Sequence, residues 1–352
     1  MSPIEAMLLR AATAVLAPAG ARARLSAFVF HRVLENPDPL LPDLPDRAAF
    51  ARVLDWIGAQ FRVLSPWQAC EALAAGTLPS RAAMLTFDDG YRDNVELALP
   101  CLQARGWQAA FFVATGYLGD GAMFNDRVIE ALRATRMMRL PRAVLGPAPA
   151  ADRSLLPADL PLETLAQRRA AIDAVLAAVK PLPLAARDEA VARLEDALGC
   201  GLSASPMMSE AQLALLHRAG MTIGGHTRSH PILAALAPAT ARAEIEAGRD
   251  DLRSIVGEAP RLFAYPNGRA GQDWCAEHAR MVREAGFAFA FTTDAGTAGH
   301  AADPMALPRF TPWDRERRRF QTRAALNLLC RRTAPRTGSA AQARRHDALR
   351  GV

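Results

Sequence analysis

Two short segments concentrate the side chains that could do chemistry. In Leu85-Thr86-Phe87-Asp88-Asp89-Gly90 two adjacent carboxylates stand directly after an apolar run, and a glycine then turns the chain. Successive side chains of an extended strand face opposite ways, so Asp88 and Asp89 cannot point together while the strand continues. At a strand end, however, one carboxylate can hold a metal while the other lies beside the water that the metal activates. The competing reading is a strand-to-turn cap, since Asp-Gly is a common turn pair. In Gly224-Gly225-His226-Thr227-Arg228-Ser229-His230-Pro231-Ile232 two imidazoles four residues apart also follow a short apolar run. One helical turn over 227–230 would put both rings on one face, as ligation by two histidines requires; each could equally be a structural histidine. Together the segments offer one carboxylate and two imidazoles, an open position for water, and a second carboxylate to take that water's proton. That is the equipment of metal-assisted hydrolysis.

These residues need a frame that brings strand ends together. Short apolar runs at 26–33, 61–65, 83–87 and 109–115 alternate with helical patterns. One such pattern carries Phe50, Val53, Leu54 and Ile57 on one face, another starts at Ser65-Pro66, and a third runs through Leu97 and Leu102 to Gly106. The alternation resumes at 221–225, 261–266 and 287–293, with a helix between that carries Ile245, Leu252 and Val256 and ends at Gly257. Strand–helix repetition of this kind predicts an α/β fold with a parallel sheet or barrel, whose catalytic residues sit where strands end. Residues 122–212 interrupt it with helical faces only: Leu165, Ile172, Leu176 and Val179, then Val191, Leu194 and Leu198, then a Ser209/Gln212 capping box before a third helix. This stretch is expected to be an α-helical insertion.

The chain has 352 residues and a net charge of +6, but that charge is unevenly placed. Residues 315–352 hold eleven Arg against one Glu and one Asp, a net of +9, which leaves the rest of the chain at −3. The basicity belongs to the C-terminal end, expected to be a solvated, disordered tail; such a tail could also touch anionic lipid, nucleic acid or an acidic polymer, but a nucleic-acid role would rest on it alone and is not expected. The segment 1–25 is mildly apolar but starts acidic and is interrupted by Arg10, so an amphipathic surface helix is as plausible as a signal peptide. Peripheral membrane contact through this segment or the Arg-rich tail is the alternative to a purely soluble placement. Five cysteines with no close spacing imply neither a zinc knuckle nor a disulfide framework. A reducing, cytoplasmic setting is the expectation, with export as the alternative.

The segments Thr86-Phe87-Asp88-Asp89-Gly90 and His226-Thr227-Arg228-Ser229-His230 resemble the first two motifs of the polysaccharide deacetylases, the NodB-homology group of carbohydrate esterase family four. The resemblance spans about 26–120 and 208–314 and implies a distorted (β/α) barrel over 26–314, carrying the insertion, and a divalent metal, most often Zn2+. It gives Asp88 as general base and Asp89, His226 and His230 as metal ligands. In the third motif the family's Arg and Tyr places are taken by Ala264 and Asn267, so the arginine that steers the base is missing there. The backbone N–H of Asn267 is a candidate oxyanion donor, and Tyr265 and Tyr91 are candidate substrate contacts. Leu307-Pro308-Arg309-Phe310 stands where a Leu-x-His would supply a general acid. A subgroup resembling the biofilm-polysaccharide deacetylases is permuted and carries that histidine on the first strand; here it would be His31. The phrase Met123 to Leu132 also resembles a feature of that subgroup. The implied activity is removal of acetyl groups from a bacterial glycan, with no nucleic-acid partner. Hydrolysis of a small amide or cyclic imide, and a non-catalytic carbohydrate-binding barrel, are the alternatives.

Overall fold

The computed structural model describes residues 3–146, 155–156, 158–312 and 314–330. Strands β1 (Ser26–Phe30), β2 (Arg62–Val63), β3 (Ala82–Phe87), β4 (Ala110–Val113), β7 (Thr222–Gly225), β8 (Leu262–Ala264), β9 (Phe289–Ala295) and β10 (Leu307–Arg309) form one parallel sheet, while β5 (Arg139–Leu140) and β6 (Leu160–Pro161) pair antiparallel elsewhere. The main path runs β1-β3-β4-β7-β8-β9-β10, with β2 attached to β3. It returns to its start, because Val29 N–H donates to the Phe310 carbonyl (3.0 Å) and Phe310 N–H to the Ala27 carbonyl (2.8 Å). Seven strands thus make a nearly closed barrel, a (β/α) barrel of the deacetylase type. Of these, β10 did not register as a strand in the sequence: three residues containing a proline and an arginine carry no apolar period.

The two-residue alternation of the strands separates two layers. Ala27, Met84, Phe112, Leu262, Ala264, Phe289, Phe291 and Leu307 gather in one cluster, with Cys70 and Leu73 of α3 (Pro66–Ala75). The alternate residues Phe28, Phe30, Leu85, Phe87 and Phe111 meet α2 (Arg47–Gln60), α4 (Leu99–Gln103) and α8 (Glu210–Arg218). On the far side Phe263 and Ala290 pack against α9 (Pro238–Val256) and α10 (Ala276–Glu284). The first set fills the barrel, and its size is tightly fitted. A Cβ on Gly224 would stand 2.5 Å from the Phe112 ring, so the strand that delivers His226 requires glycine there.

The insertion is mainly helical, as its periodicity predicted, but it also holds the short β5–β6 pair, whose two-residue strands are too short to show a period in the sequence. Helices α5 (Phe124–Ala134), α6 (Leu165–Val179) and α7 (Leu184–Leu198) enclose their own core of Val128, Leu132, Ile172, Val175, Val191 and Leu194. The N-terminal helix α1 (Pro3–Leu16) rests on α2 and α11. None of the helices among the described residues is long and apolar enough to cross a membrane.

The C-terminal expectation needs correction. Instead of a disordered tail from 315, Arg317–Leu329 form a packed helix, α11. Its buried residues Phe320, Ala324 and Leu328 recur every four positions, one stripe of a helix, and join the outer core. Phe320 lies 5.8 Å from the Trp56 ring and 6.1 and 6.4 Å from those of Phe28 and Phe310. Buried Asp314 holds the first turns by accepting from Arg323 and pairing in charge with Arg319. The arginine count hid this stripe. Residues 331–352 lie outside the described residues.

Phe320 therefore seals the seam between the first and last strands. Phe320→Ala should cost about 3–5 kcal/mol, as for other buried aromatic truncations, read as a shift in the denaturant midpoint at unchanged slope. A loss below about 1 kcal/mol would mean that α11 is an ornament on the barrel.

Candidate active site

The site sits where β3, β7, β8 and β10 end. Asp88 continues the inward parity of Met84 and Thr86, and Arg309 continues that of Leu307, so the two meet inside the barrel mouth. Arg309 Nη1 and Nη2 each lie 2.7 Å from an Asp88 carboxylate oxygen, a bidentate pair with both side chains nearly or fully excluded from solvent. The remaining donors of Arg309 reach the Thr292 carbonyl (2.8 Å) and Thr86 Oγ1 (3.3 Å). Burial alone would raise the Asp88 pKa, but Arg309, helped by His226 and His31, holds it below the ordinary carboxylate range. Asp88 is thus kept ionised without water around it.

Asp89 leaves the strand. Its φ of 79° is left-handed, and Gly90 follows at 96°. This reversal solves the alternation problem, because it turns the second carboxylate toward the same mouth as the first. Asp89 Oδ1 lies 3.4 Å from Nε2 of both His226 and His230. The three donor atoms fall within 4.8 Å of one another. His226 Nδ1 is 2.7 Å from the Ala264 carbonyl. A carbonyl can only accept, so the ring proton is on Nδ1 and the Nε2 lone pair faces Asp89. This is the orientation seen in metal-ligating histidines, whose second nitrogen is fixed by an outer partner.

The histidines do not sit on a helical turn. Thr227 and His230 are left-handed (φ 62° and 53°), and the loop closes through His230 N–H to Thr227 Oγ1 at 3.1 Å. Glu244 of α9 fastens it, accepting from the N–H groups of Arg228 and Ser229 and from the Ser229 hydroxyl (3.1, 2.8 and 2.7 Å). The rings end 4.7 Å apart. Burial, with His226 nearby, pushes His230 down to about 3, so its imidazole is neutral. The His226 ring is raised despite burial, because Asp89 attracts positive charge to it. Asp89 itself is lowered despite burial by the His226 contact and by the nearby histidines. One carboxylate and two imidazole nitrogens, converging and oriented from behind, fit a divalent cation.

His31 faces this group from β1. Its Nε2 is 4.0 Å from Asp88 Oδ2, and its side chain is 44% exposed, so it can reach both the site and a bound molecule. Its backbone is pinned from the far side. Asn94 Nδ2 donates to the His31 carbonyl (2.8 Å), Val33 N–H donates to Asp93 (3.2 Å), and Arg32 Nε donates to Asp93 (2.9 Å). Asp88, Asp89, His31, His226, His230 and Asn267 border one cavity of about 670 Å³. Asn267 is left-handed (φ 59°) and its carbonyl accepts from Thr293.

Two expected substrate contacts are not there. Tyr265 is fully buried, stacked on Trp274 at 4.1 Å, and its hydroxyl donates to the Met305 carbonyl (3.0 Å), so it is a core residue. Tyr91 is 2% exposed, lies under the Arg32 guanidinium, and donates its hydroxyl to Asp126. It supports the wall of a neighbouring cavity of about 360 Å³ without offering a free group. Asp126, within the phrase that had no role, is pushed up to about 7 by burial and by the charge of Asp89. Arg309 went unassigned from sequence. A buried arginine in a strand implies a carboxylate partner, but Pro308 and Arg309 break the apolar run that would have marked the strand.

Among solved structures, the chain has the fold of IcaB from Ammonifex degensii (19% identity, 87% of this chain and 98% of that one, TM-score 0.54). It also resembles the Streptococcus pyogenes deacetylase PplD in complex with acetate (17%, 82% and 92%, TM-score 0.51) and a de-N-acetylase from Aggregatibacter actinomycetemcomitans (15%, 82% and 94%, TM-score 0.50). No curated protein matches. The polysaccharide deacetylase family model matches residues 75–140 and 193–290, which include both motif segments. Over those stretches, 164 of the 352 residues, the chain is similar to a polysaccharide deacetylase domain.

Arg309 replaces from β10 the cation that the third motif lacks. Arg309→Gln removes it and leaves a buried carboxylate whose pKa rises. A base works when deprotonated, so the acidic limb of the pH–rate profile should move to higher pH. Metal stoichiometry should stay at the wild-type value. Removing one partner of a buried pair costs about 3–5 kcal/mol, so the profile is best recorded well below the unfolding midpoint. An unmoved acidic limb in a folded variant would remove Arg309 from the tuning of Asp88.

Proposed function

We propose that the protein is a divalent-metal-dependent deacetylase, with Zn2+ the best-fitting ion, that removes N-acetyl groups from a bacterial exopolysaccharide rich in N-acetylhexosamine. The observation that carries this is the convergence, in one cavity, of an ionised Asp88 and a partly exposed His31, 4.0 Å apart, beside the Asp89, His226 and His230 donor set. A cation held by those three residues would polarise the acetyl carbonyl and acidify a water.

The other steps fall to the chain's own side chains. Asp88, kept anionic by Arg309, takes the proton of the attacking water. Asn267 offers its backbone N–H as a donor to the developing oxyanion. His31 gives a proton to the leaving sugar nitrogen, a task that suits a ring open to the cavity. The acetylated glycan class is supported by the family model and by the size of the cavity, which is ample for a sugar ring with its acetamide.

Acetate release from N-acetylhexosamine oligomers, before and after chelation and with Zn2+ restored, tests the reading. Turnover of a cyclic ureide but of no acetylated glycan would favour the small-amide alternative, and metal binding without any turnover would favour a binding barrel. Asp88→Asn should retain metal and lose about 10²-fold or more in kcat, as for a missing general base, whereas Asp89→Asn should weaken metal retention itself. Equal loss of metal in both variants would contradict this division. His31→Ala should slow the sugar amide far more than an activated aryl acetate, whose leaving group needs no proton. Equal slowing of both would take the general-acid role from His31.

A further inference from the structure

Lys180 is the only lysine in the chain; every other one of the 42 basic residues is arginine. It stands just past the last turn of α6, where its N–H caps onto the Leu176 carbonyl at 3.0 Å. The insertion thereby delivers it to the same cavity that holds Asp88, Asp89, His226, His230 and Asn267. The barrel's chemistry has no use for it.

Its surroundings are unusual for a cation. The side chain is half-buried, and Leu176 and Ala177 border the cavity beside it. Among the described residues its ammonium makes no hydrogen bond and no ion pair, whereas Arg32 in the same wall is fixed by Asp93. The charges that act on it are Asp273 and Arg269. Asp273 is already engaged, since one of its oxygens accepts the Arg269 N–H at 2.9 Å and faces the Arg269 guanidinium at 3.4 Å. Lys180, Arg269 and Asp273 together leave the surroundings of this lysine with one positive charge in excess. Burial lowers the lysine's pKa, with Asp273 opposing and Arg269 adding to the effect. The other free charge on the cavity wall, Asp43, lies on the loop that also borders the side cavity.

A partly desolvated ammonium with no counter-charge in contact regains most when an oxyanion meets it. A lysine presents a compact charge on a flexible stem, suited to a single oxyanion. We infer that Lys180 is the subsite for an anionic substituent, a carboxylate or phosphate, carried by the glycan whose acetyl group lies at Asp88 and His31. The inference rests on the deacetylase reading and narrows its substrate to acidic acetylated glycans.

The test uses three acetylated oligosaccharides of equal length: neutral, bearing a uronate, and bearing a phosphate ester. For the anionic substrates Lys180→Gln should raise KM about tenfold, the effect of losing one charged hydrogen bond, with kcat within twofold and metal content unchanged. Lys180→Arg should recover most of the loss, and the neutral substrate should be indifferent to both changes. A preference for uronate over phosphate, or the reverse, identifies the anion. Equal effects on neutral and anionic substrates, as expected if Lys180 merely shaped the cavity or closed on Asp43, would overturn the proposal, and so would no effect on any. A second readout needs no turnover. Reductive methylation can modify only Lys180 and the N-terminal amine, and the anionic oligosaccharides should protect Lys180 while the neutral one does not. Equal protection by all three would also overturn it. If the wild type releases acetate from the neutral oligomer and Lys180→Gln changes nothing, only this inference fails; if no glycan is deacetylated, the deacetylase reading fails and the protection experiment still reports on Lys180.

Discussion

A carboxylate removed from water must be compensated or it takes up a proton, and the rest of this structure is arranged around that constraint at Asp88. Its partner Arg309 comes from the opposite end of the chain, two strands away in the closed sheet. The pair is worth having only if both groups are fully satisfied, because a half-compensated buried pair destabilises more than apolar residues would. Both are: Asp88 uses both oxygens on Arg309, and the remaining donors of Arg309 go to Thr292 and Thr86. Three strands are therefore tied together at the mouth by side chains as well as by their ladders. The register of β10 on β1 sets where the guanidinium arrives, and the seal of Phe320 against Phe28 and Phe310 sets that register in turn. The C-terminal helix thus belongs to the site's geometry although it lies outside it.

The site also stores backbone strain. Of the five non-glycine residues with positive φ among the described residues, Asp89, Thr227, His230 and Asn267 belong to the loops that build it. A left-handed L-residue costs roughly 1–2 kcal/mol, so these loops hold only where neighbours over-determine them. The fastenings are identifiable: Glu244 on the 228–229 amides, Thr227 on His230, Thr293 on Asn267. What the strain accomplishes is convergence. Each strand ends with its side chain alternating in or out, and the reversed residues, one each in the Asp89 and Asn267 loops and two in the 226–230 loop, turn the chain so that the site's groups converge.

Much of this was legible in the sequence, and the failures have physical reasons. Seven strands announced themselves because buried parallel strands are continuous apolar runs, and the insertion because its helices keep a regular apolar face. The Asp and His segments stood out because strand ends are where such residues gather. Strand β10 did not, since Pro308 and Arg309 break the apolar run, and a charge neutralised by a residue 221 positions away leaves no local trace. Helix α11 was masked by its arginines, although Phe320, Ala324 and Leu328 keep helical spacing. Tyr265 was misplaced because its position in a motif says nothing of which way it points; the ring is inward on Trp274. Tyr91 failed for a different reason, being reachable in principle but already engaged by Asp126.

Chemistry and selectivity are carried by different parts of the molecule. The barrel supplies every group proposed to touch the acetyl carbon, and its packing leaves little freedom, as the Gly224–Phe112 contact shows. The cavity wall, by contrast, comes from α6 of an insertion with its own core. That helix has two stripes. Val175 and Val179 face the insertion's interior, while Arg169, Asp173, Leu176 and Lys180, at intervals of four, three and four, border the two cavities. Leu176 also packs on the insertion core, but Arg169, Asp173 and Lys180 are not part of it and can change while the helix stays docked. Because the insertion core shares few side chains with the barrel core, such changes would leave the Asp88–Arg309 register untouched. A fold with this division can hold the Asp88–Arg309 centre constant while the charges along α6 vary the wall around it, which is what the proposed selection of acidic glycans would require.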